Sequence, residues 1–452
     1  MDREAIQKTL DYIDEHLITD ICAEELSRMA GFSLSHFYRL FQSAVGMPVM
    51  QYISRRRLLY AIYEIGMDRN LKMYTDHFQT DTDTSAGERS RKMIDVALEY
   101  GFETYAGFYK SFVREIGYTR GEYLSRYRVR KPYRINIIQE EHILMSPKKI
   151  KEILKYWGME NERISDVVYA ETGAVSDHAK YVGDKYVLKY TANPGTAKKT
   201  VDIADALEST GLLSAQVVPA LDGRRCIEEE SVYYVLGTRL DGQRIKASAL
   251  YEGDQRDKAR LVGEIVGQLS IALAKIDVPV DELDVNRDIH TWAVPAMDGM
   301  LNIDRGFLNS FLEKFDELYP GLPAQIIHRD PNPGNIIMNG DKWGFIDFDL
   351  SKRSVRIYDP CYAASAILSE TFETGNDERC EKWITILQGI MYGYDSVVKI
   401  SEREKEAVPY ILLANQFIAA AWFAGKEKYQ AVWETNIRMT EWMCRNFDRL
   451  KV

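Results

Sequence analysis

The sequence is poor in cysteine and has no closely spaced cysteine pair. Its five cysteines are scattered between Cys22 and Cys444 in a chain of 452 residues, and none form a CxxC motif. This pattern argues against a zinc site and against a disulfide framework. It is typical of a protein of the reducing cytoplasm, which is where we expect this chain to be located.

Long hydrophobic runs are also missing. The most apolar window, ILLANQFIAAAWFAG from Ile411, is interrupted by Asn415 and Gln416. It falls short of the ~20 residues that span a bilayer, so a buried core helix is predicted instead. The first residues, MDREAIQKTLDYIDEHL, are charged and amphipathic, unlike a signal peptide. We therefore expect no membrane association.

An excess of positive charge is absent as well. Residues 1–130 contain 18 Lys+Arg and 19 Asp+Glu, and the whole chain has a formal net charge of −10. Any prediction of nucleic-acid binding must therefore rest on local motifs and not on bulk charge. For the basic run Arg55-Arg56-Arg57, a solvated helix face and a phosphate contact are equally compatible with the sequence.

What is present begins with a helix-turn-helix pattern. The helical stretch AEELSRMA ends at Gly31, where a residue without Cβ can adopt positive φ. Ser33 is a suitable N-cap for the next helix, in which Phe37 and Phe41 recur at helical spacing. Two helices joined by a short glycine-containing turn are the layout of a helix-turn-helix.

The same pattern occurs a second time. From Ile94, the stretch IDVALEYGFETYAGFYKSFVREIGYTRGEYL repeats the first unit, with Gly101-Phe102 at the turn and Phe108 and Phe112 on the following helix. An internal repeat with this many shared positions is hard to obtain by chance. The sequence therefore predicts two helix-turn-helix units.

These residues resemble the DNA-binding domain of AraC-type transcription regulators. The similar stretches are GFSLSHFYRLFQSAVGMPVMQYI, RRRL and VALEYGFETYAGFYKSF, within residues 1–130. The resemblance implies an all-α domain that places two recognition helices in successive major grooves of double-stranded DNA. By the same resemblance, the recognition faces would carry Ser35, His36, Tyr38, Arg39, Tyr105, Ala106, Tyr109 and Lys110.

One departure from that family lies between the two units. The family joins its units by one continuous helix, whereas residues 68–90 are extra here and include the loop-like TDTDTSAG. The insert bears on the distance between the recognition helices, which must match one turn of DNA. A homodimer is left open as the assembly state.

Residues 131–146 lack helical periodicity and are predicted to form a linker, after which Ser146-Pro147 starts a helix. Far downstream, the stretch IIHRDPNPGNIIMNGDKWGFIDFDL contains the kinase catalytic-loop pattern HRDxxxxN. Asp330 would accept the proton of a substrate hydroxyl group. Asn335 and Asp347 would hold Mg²⁺ on nucleotide phosphates, since this cation prefers oxygen ligands.

The segments around this motif predict its supporting structure. An Asn339-Gly340 turn predicts a hairpin that brings Asn335 and Asp347 together. Upstream, DVVYAET, HAKYVG and KYVLKYT predict three strands, with Gly173 in a loop that would cover nucleotide phosphates and Lys189 as the phosphate-binding lysine. A helix over 196–210 should supply a carboxylate for that lysine; Asp202, Asp205 and Glu208 all remain candidates.

Across about 150–452, the chain resembles the aminoglycoside phosphotransferase and choline kinase-like family. The resemblance rests on HRDPNPGNII, FIDFD and DPCYAASAI, although Ala363 stands where an aspartate is common. It implies an α+β, protein-kinase-like domain over 147–452, with an N-lobe at about 147–238 and a C-lobe at about 239–452. It also implies ATP or GTP and Mg²⁺ as cofactors, and an unknown small-molecule alcohol as acceptor.

The predicted protein is therefore multidomain: an all-α double helix-turn-helix domain followed by an α+β two-lobed kinase-like domain. The first functional hypothesis is a transcription regulator whose kinase-like domain phosphorylates or senses a hydroxylated metabolite or antibiotic. The second is an ATP-dependent phosphotransferase with an accessory DNA-binding module. A catalytically dead sensor is disfavoured because Asp330, Asn335 and Asp347 are all present. Fold resemblance does not name the acceptor.

Overall fold

The computed structural model describes residues 2–75, 93–116, 119, 123, 131–138, 143–168, 175–426 and 429–452. The chain divides into two compact units. The first contains Met1–Pro194 and Val218–Gly237, and the second contains Gly195–Val217 and Thr238–Val452. These units group the chain differently from the predicted domains, whose boundaries stay a prediction.

The first unit begins with six helices that surround one hydrophobic core. They are α1 (Asp2–Glu15), α2 (Ala23–Ala30), α3 (Leu34–Val45), α4 (Val49–Thr75), α5 (Met93–Glu99) and α6 (Tyr105–Ile116). Residues 68–75 of the predicted insert continue α4, while 76–92 lie outside the described residues. The predicted all-helical N-terminal region is thus confirmed.

The internal repeat is visible in the backbone. Gly31 ends α2 with φ 78°, and Gly101 follows α5 with φ 79°. Each glycine N–H donates to the carbonyl three residues earlier, at 3.1 and 3.0 Å. The two halves also share a ring pair in the core, Phe41–Tyr52 at 5.6 Å and Phe112–Tyr123 at 5.7 Å between centroids. Both units therefore have the same local fold.

The structure corrects both interpretations of the basic run Arg55-Arg56-Arg57 on α4. Arg55 and Arg56 are only 6% and 4% exposed, so neither a solvated face nor a phosphate contact describes them. Arg56 forms two hydrogen bonds of 2.7 Å with the buried carboxylate of Asp14. Arg57 donates to the carbonyls of Leu17 and Thr19. Arg56 thus connects α4 to α1, because a buried guanidinium needs a charged or polar partner, and Arg57 connects α4 to the residues that follow α1.

The predicted linker is an ordered segment, here called the strap (the described residues 131–138 and 143–145). Ile135, Ile137 and Leu144 are buried in the core of the helix-turn-helix region. Gln7 holds the strap as a backbone would: its amide donates to the carbonyl of Ile135 and accepts from the N–H of Ile137, both at 2.9 Å. The strap is therefore part of the helical core and not a free connection.

A five-stranded antiparallel sheet completes the first unit. Its order is β1-β2-β3-β5-β4, with β1 (Ile164–Val168), β2 (Val175–Val182), β3 (Tyr186–Thr191), β4 (Ile227–Glu229) and β5 (Val232–Thr238). Helix α7 (Pro147–Leu154) packs beside it and is capped by the Ser146 hydroxyl, which accepts from the N–H of Lys149. The predicted strands HAKYVG and KYVLKYT and the Ser-Pro helix start are confirmed. Of the predicted strand DVVYAET, residues 166–168 lie on β1 and residues 169–172 lie outside the described residues.

The second unit is mainly helical and has one continuous core. Its helices are α8 (Pro194–Glu208), α9 (Gln255–Ala274), α10 (Val285–Asp288), α11 (Val294–Ala296), α12 (Arg305–Leu318), α13 (Tyr358–Thr371), α14 (Asp377–Val398), α15 (Glu402–Phe423) and α16 (Gln430–Arg445). A π-helical segment, Ile289–Ala293, joins α10 to α11. The apolar window predicted as a core helix lies in α15, where Ile411 is fully buried.

Two small sheets of the second unit carry the kinase-like loops. One pairs β6 (Gln243–Arg244), β8 (Ile336–Asn339) and β9 (Lys342–Phe345), and the other pairs β7 (Ala324–Ile327) with β10 (Lys352–Val355). The β8–β9 hairpin turns at Gly340, whose φ is 60°. This confirms the predicted Asn-Gly hairpin. Among the described residues, no helix has both the length and the apolar character that a bilayer crossing requires.

Candidate functional site

The loop that carries Asp330 follows β7 and is fixed by a buried carboxylate. Asp359, at the start of α13, accepts hydrogen bonds from the backbone N–H groups of His328 and Arg329, both at 2.9 Å. The left-handed backbone of Arg329, with φ 72°, accompanies this arrangement. Burial raises the pKa of Asp359 to about 7. Sequence reasoning missed this residue, although an aspartate followed by Pro360 at a helix start was a usable signal.

The His328 side chain also stabilises this loop. Its ring is fully buried and lies 4.6 Å from the ring of Phe348. Nδ1 faces the N–H of Asp330 at 3.3 Å, so Nδ1 is the acceptor and Nε2 carries the proton. Nε2 accordingly donates to the carbonyl of Ile346 at 3.0 Å. His328 therefore ties the Asp330 loop to the strand end that leads to Asp347, as a structural residue.

Asp330 itself is half-buried and surrounded by hydrogen-bond donors. Asn332 donates to one carboxylate oxygen at 2.7 Å, and Asn335 donates to the other at 3.2 Å. The Tyr362 hydroxyl is a third donor to this carboxylate. Burial raises the pKa of Asp330 to about 6, and repulsion from Asp347 adds to this rise. A carboxylate with such a pKa is still ionised at pH 7 and is well suited to accept a proton.

The two predicted metal ligands lie side by side. The N–H of Ile346 donates to the carbonyl of Asn335 at 3.1 Å, which places Asn335 next to Asp347. The Asn335 side-chain NH₂ donates to Asp330, which orients its amide oxygen as a ligand atom. Oxygen ligands from two protein groups suit Mg²⁺, which takes its remaining ligands from water and phosphate. The donor set therefore fits the predicted cation.

The residues after Asp347 are anchored by α8. The Thr200 hydroxyl donates to a carboxylate oxygen of Asp349 at 3.0 Å. Lys199 donates to the carbonyl of Ser351 at 3.3 Å. Asp349 is thus a hydrogen-bond acceptor that stabilises the loop, and α8 is bonded directly to the segment that carries the predicted metal ligand Asp347.

The remaining predicted nucleotide contacts are placed only in part. Lys189 lies on β3 in the first unit. Gly173 lies outside the described residues. Among the three candidate carboxylates of α8, Asp202 forms an ion pair with Lys198 on its own helix, while Asp205 and Glu208 are exposed. The choice between these three residues stays open.

The predicted DNA-facing side chains lie on α3 and α6. On α3, Ser35, Tyr38 and Arg39 are exposed and His36 is half-buried. On α6, Tyr105, Ala106, Tyr109 and Lys110 are all exposed. Exposed tyrosines on both helices are notable, because aromatic side chains of this size are usually largely buried. Their contact with DNA stays a prediction.

Two regions of the chain are similar to known proteins. Residues 166–386 match the model of the phosphotransferase enzyme family. Over 120 residues, the chain is 34% identical to YbfP, an uncharacterized helix-turn-helix transcriptional regulator of Bacillus subtilis (strain 168). The chain therefore joins an AraC-type helix-turn-helix region to a phosphotransferase-family, kinase-like domain.

Each relative covers one part of this fusion. The match to YbfP spans 26% of this chain and 34% of that regulator. A homoserine kinase of Nitrobacter hamburgensis is 26% identical over 152 residues, which is 31% of this chain and 44% of the kinase. Amicoumacin kinase hAmiN, solved in complex with AMP-PNP, Ca²⁺ and Ami, has a TM-score of 0.49 at 14% identity, and the match covers 65% of this chain and 92% of that chain. The homodimer finds no support in these comparisons.

Proposed function

We propose that the chain is a sequence-specific transcription regulator of AraC type whose kinase-like domain binds Mg-ATP and phosphorylates the hydroxyl group of a small molecule. The observation that carries the proposal is the half-buried carboxylate of Asp330, held beside Asn335 and Asp347 in one loop system. A domain that only senses a ligand would have no need to keep a base with a raised pKa beside two cation ligands.

The residues of this site have separable tasks in the proposed reaction. Asp330 would orient the acceptor hydroxyl and take its proton as the oxygen–phosphorus bond forms and the bond to the nucleoside diphosphate breaks. Asn335 and Asp347 would hold Mg²⁺, which, when bound, offsets the negative charge of the phosphates. Asp359 and His328 act as positioning residues, because they touch only the loops and not the reacting atoms.

The test is a pair of measurements on full-length protein. Calorimetry should show Mg-ATP binding that Asp347→Ala weakens by at least about tenfold, because one of the two cation ligands is lost. Asp330→Asn should retain nucleotide affinity but lose phosphoryl transfer by about 100-fold or more, as expected for a general base. Asp341→Ala, at the exposed turn of the same β8–β9 hairpin, is the matched control. Wild-type protein without Mg-ATP affinity would refute the kinase proposal.

The DNA-binding proposal is supported by the duplicated unit and by the exposed faces of α3 and α6. It is tested by affinity for the region upstream of its own gene, compared with random DNA across a salt series. Arg39→Ala should weaken specific binding by about 5- to 150-fold if its side chain reads a base. Lys148→Ala, an exposed cation on α7, should leave affinity unchanged. Equal affinity for both DNAs would refute the regulator proposal.

A phosphotransferase with an accessory DNA module is the second candidate. The observation in its favour is that residues 1–130 have no net positive charge. In addition, Arg55 and Arg56 are buried, which leaves fewer cations for phosphate contacts. Turnover of Mg-ATP on an acceptor, together with DNA binding that shows no sequence preference, is the result that would favour this reading.

A further inference from the structure

The strap contacts the kinase-like sheet through a polar side chain as well as through its apolar residues. The hydroxyl of Tyr133 donates a hydrogen bond of 2.8 Å to a carboxylate oxygen of Asp177 on β2. Asp177 is 9% exposed, so this bond is shielded from water. A charge-assisted hydrogen bond in such a setting is stronger than an exposed one and transmits a displacement of either partner to the other.

The other end of this contact reaches α4, the helix that follows the first helix-turn-helix unit. The carbonyl of Tyr133 accepts a hydrogen bond of 2.9 Å from the buried guanidinium of Arg56 on α4. One residue earlier, the carbonyl of Pro132 accepts from the Tyr60 hydroxyl at 3.3 Å. The backbone of the strap is therefore bonded to α4, while the side chain of Tyr133 is bonded to β2.

On the sheet, Asp177 lies close to the predicted phosphate-binding lysine. Lys189 on β3 is directly opposite Ala179 on β2. Asp177 lies two positions along β2 from Ala179, so the strand that carries Asp177 is paired directly with the strand that carries Lys189.

A second contact places α6 against the same sheet. Arg114 and Glu115, in the last turn of α6, line a small cavity together with Asp166 on β1 and Lys180 on β2. Asp166 and Lys180 form an ion pair that is almost fully buried. The helix predicted to read the second half of the DNA site thus ends against β1 and β2, and β2 is paired with the strand that carries Lys189.

We propose that nucleotide bound at Lys189 and DNA bound by α3 and α6 change each other's affinity through the Tyr133–Asp177 contact. The proposal rests on the proposed function, since it requires that both ligands bind. It assigns regulation to a direct connection between β2 and α4, without a separate effector domain. Such coupling is reciprocal: nucleotide changes DNA affinity by the same factor by which DNA changes nucleotide affinity.

The experiment measures this factor in the full chain. The dissociation constant for DNA from upstream of its own gene is measured with and without saturating Mg-AMP-PNP, and the constant for Mg-AMP-PNP with and without that DNA. The expected factor is about 5 or more, equal in both directions. In Tyr133→Phe it should fall towards 1, while each separate affinity stays within about twofold of wild type.

Tyr60→Phe is the matched control, because it removes a hydroxyl that holds the same strap but does not reach the sheet. This variant should keep the wild-type factor, and circular dichroism should show that both variants are folded under the conditions of the binding assays. A factor of 1 in wild type with both ligands bound, or an unchanged factor in Tyr133→Phe, would overturn the coupling and leave the proposed function intact. Absence of binding by either ligand would refute the proposed function and the coupling together.

Discussion

Asp330 and Asp359 are two aspartates that have different roles in the same site: Asp330 lies in the loop after β7, and Asp359 binds that loop from the start of α13. Both have a raised pKa because burial penalises the carboxylate. Both carboxylate oxygens of Asp359 accept hydrogen bonds from backbone N–H groups, which fixes the loop. Asp330 instead accepts hydrogen bonds from side chains that face the site. The HRDxxxxN spacing predicted Asp330, but Asp359 lies 29 residues later, and only the fold brings it to the loop.

The raised pKa of Asp359 predicts a pH-dependent stability. Its pKa rises from an ordinary 3.8 to about 7, so between these values the folded chain holds a proton that the unfolded chain releases. The free energy of unfolding should therefore fall as pH rises through this window, by up to about 1.4 kcal/mol per pH unit. Asp359→Asn removes this titration, and urea unfolding from pH 4 to pH 8 should show a shallower fall. Parallel curves for variant and wild type would contradict this account.

At the scale of elements, local patterns were predictable and tertiary contacts of irregular segments were not. The β8–β9 hairpin follows from Asn339-Gly340, and the repeat of the helix-turn-helix units follows from helical spacing around Gly31 and Gly101. The strap has no periodicity, because its apolar residues are divided between two cores: Ile143 and Met145 pack under the sheet. A sequence pattern cannot show such a division, since neither core is visible from the segment alone.

Two glycines give a matched test of the strap. Gly46 and Gly31 both end helices with φ near 80°, so alanine should cost each about 1 kcal/mol of backbone strain. A Cβ at Gly46 would lie 2.8 Å from the carbonyl oxygen of Leu144, whereas nothing lies within 4 Å at Gly31. Gly46→Ala should therefore lower the free energy of unfolding by at least about 1 kcal/mol more than Gly31→Ala. Equal losses in urea unfolding would mean that the strap does not press on α3.

At the scale of the whole molecule, the kinase-like sheet belongs to the same compact unit as the DNA module, and α8 belongs with the remaining kinase-like residues. The sequence predicted both regions but not this grouping. The reason is physical: α8 is bonded to Asp349 and Ser351, while β2 is bonded to the strap. These hydrogen bonds join residues that are far apart in the sequence, and they leave no local pattern.

The two units predict more than one unfolding transition in calorimetry, because chains with separate cores rarely unfold in a single step. DNA at 100 times its dissociation constant should stabilise the transition of the first unit by about 2.7 kcal/mol, since it binds only folded protein. Duplex DNA without specific affinity, at the same concentration, is the control. A single transition that DNA shifts as a whole would show that the units unfold together.

The strap also limits how such a fusion can be cut or recombined. Ile135, Ile137 and Leu144 fill the helical core, and the neighbouring Ile143 and Met145 fill the core below the sheet. A chimera joined at residue 130 would leave an unfilled volume in the core of its DNA module, and one joined at residue 146 would leave an unfilled volume below the sheet. Neither module can therefore be exchanged for another by a simple cut at either end of the strap. A working exchange must carry the strap's partners on both sides with it.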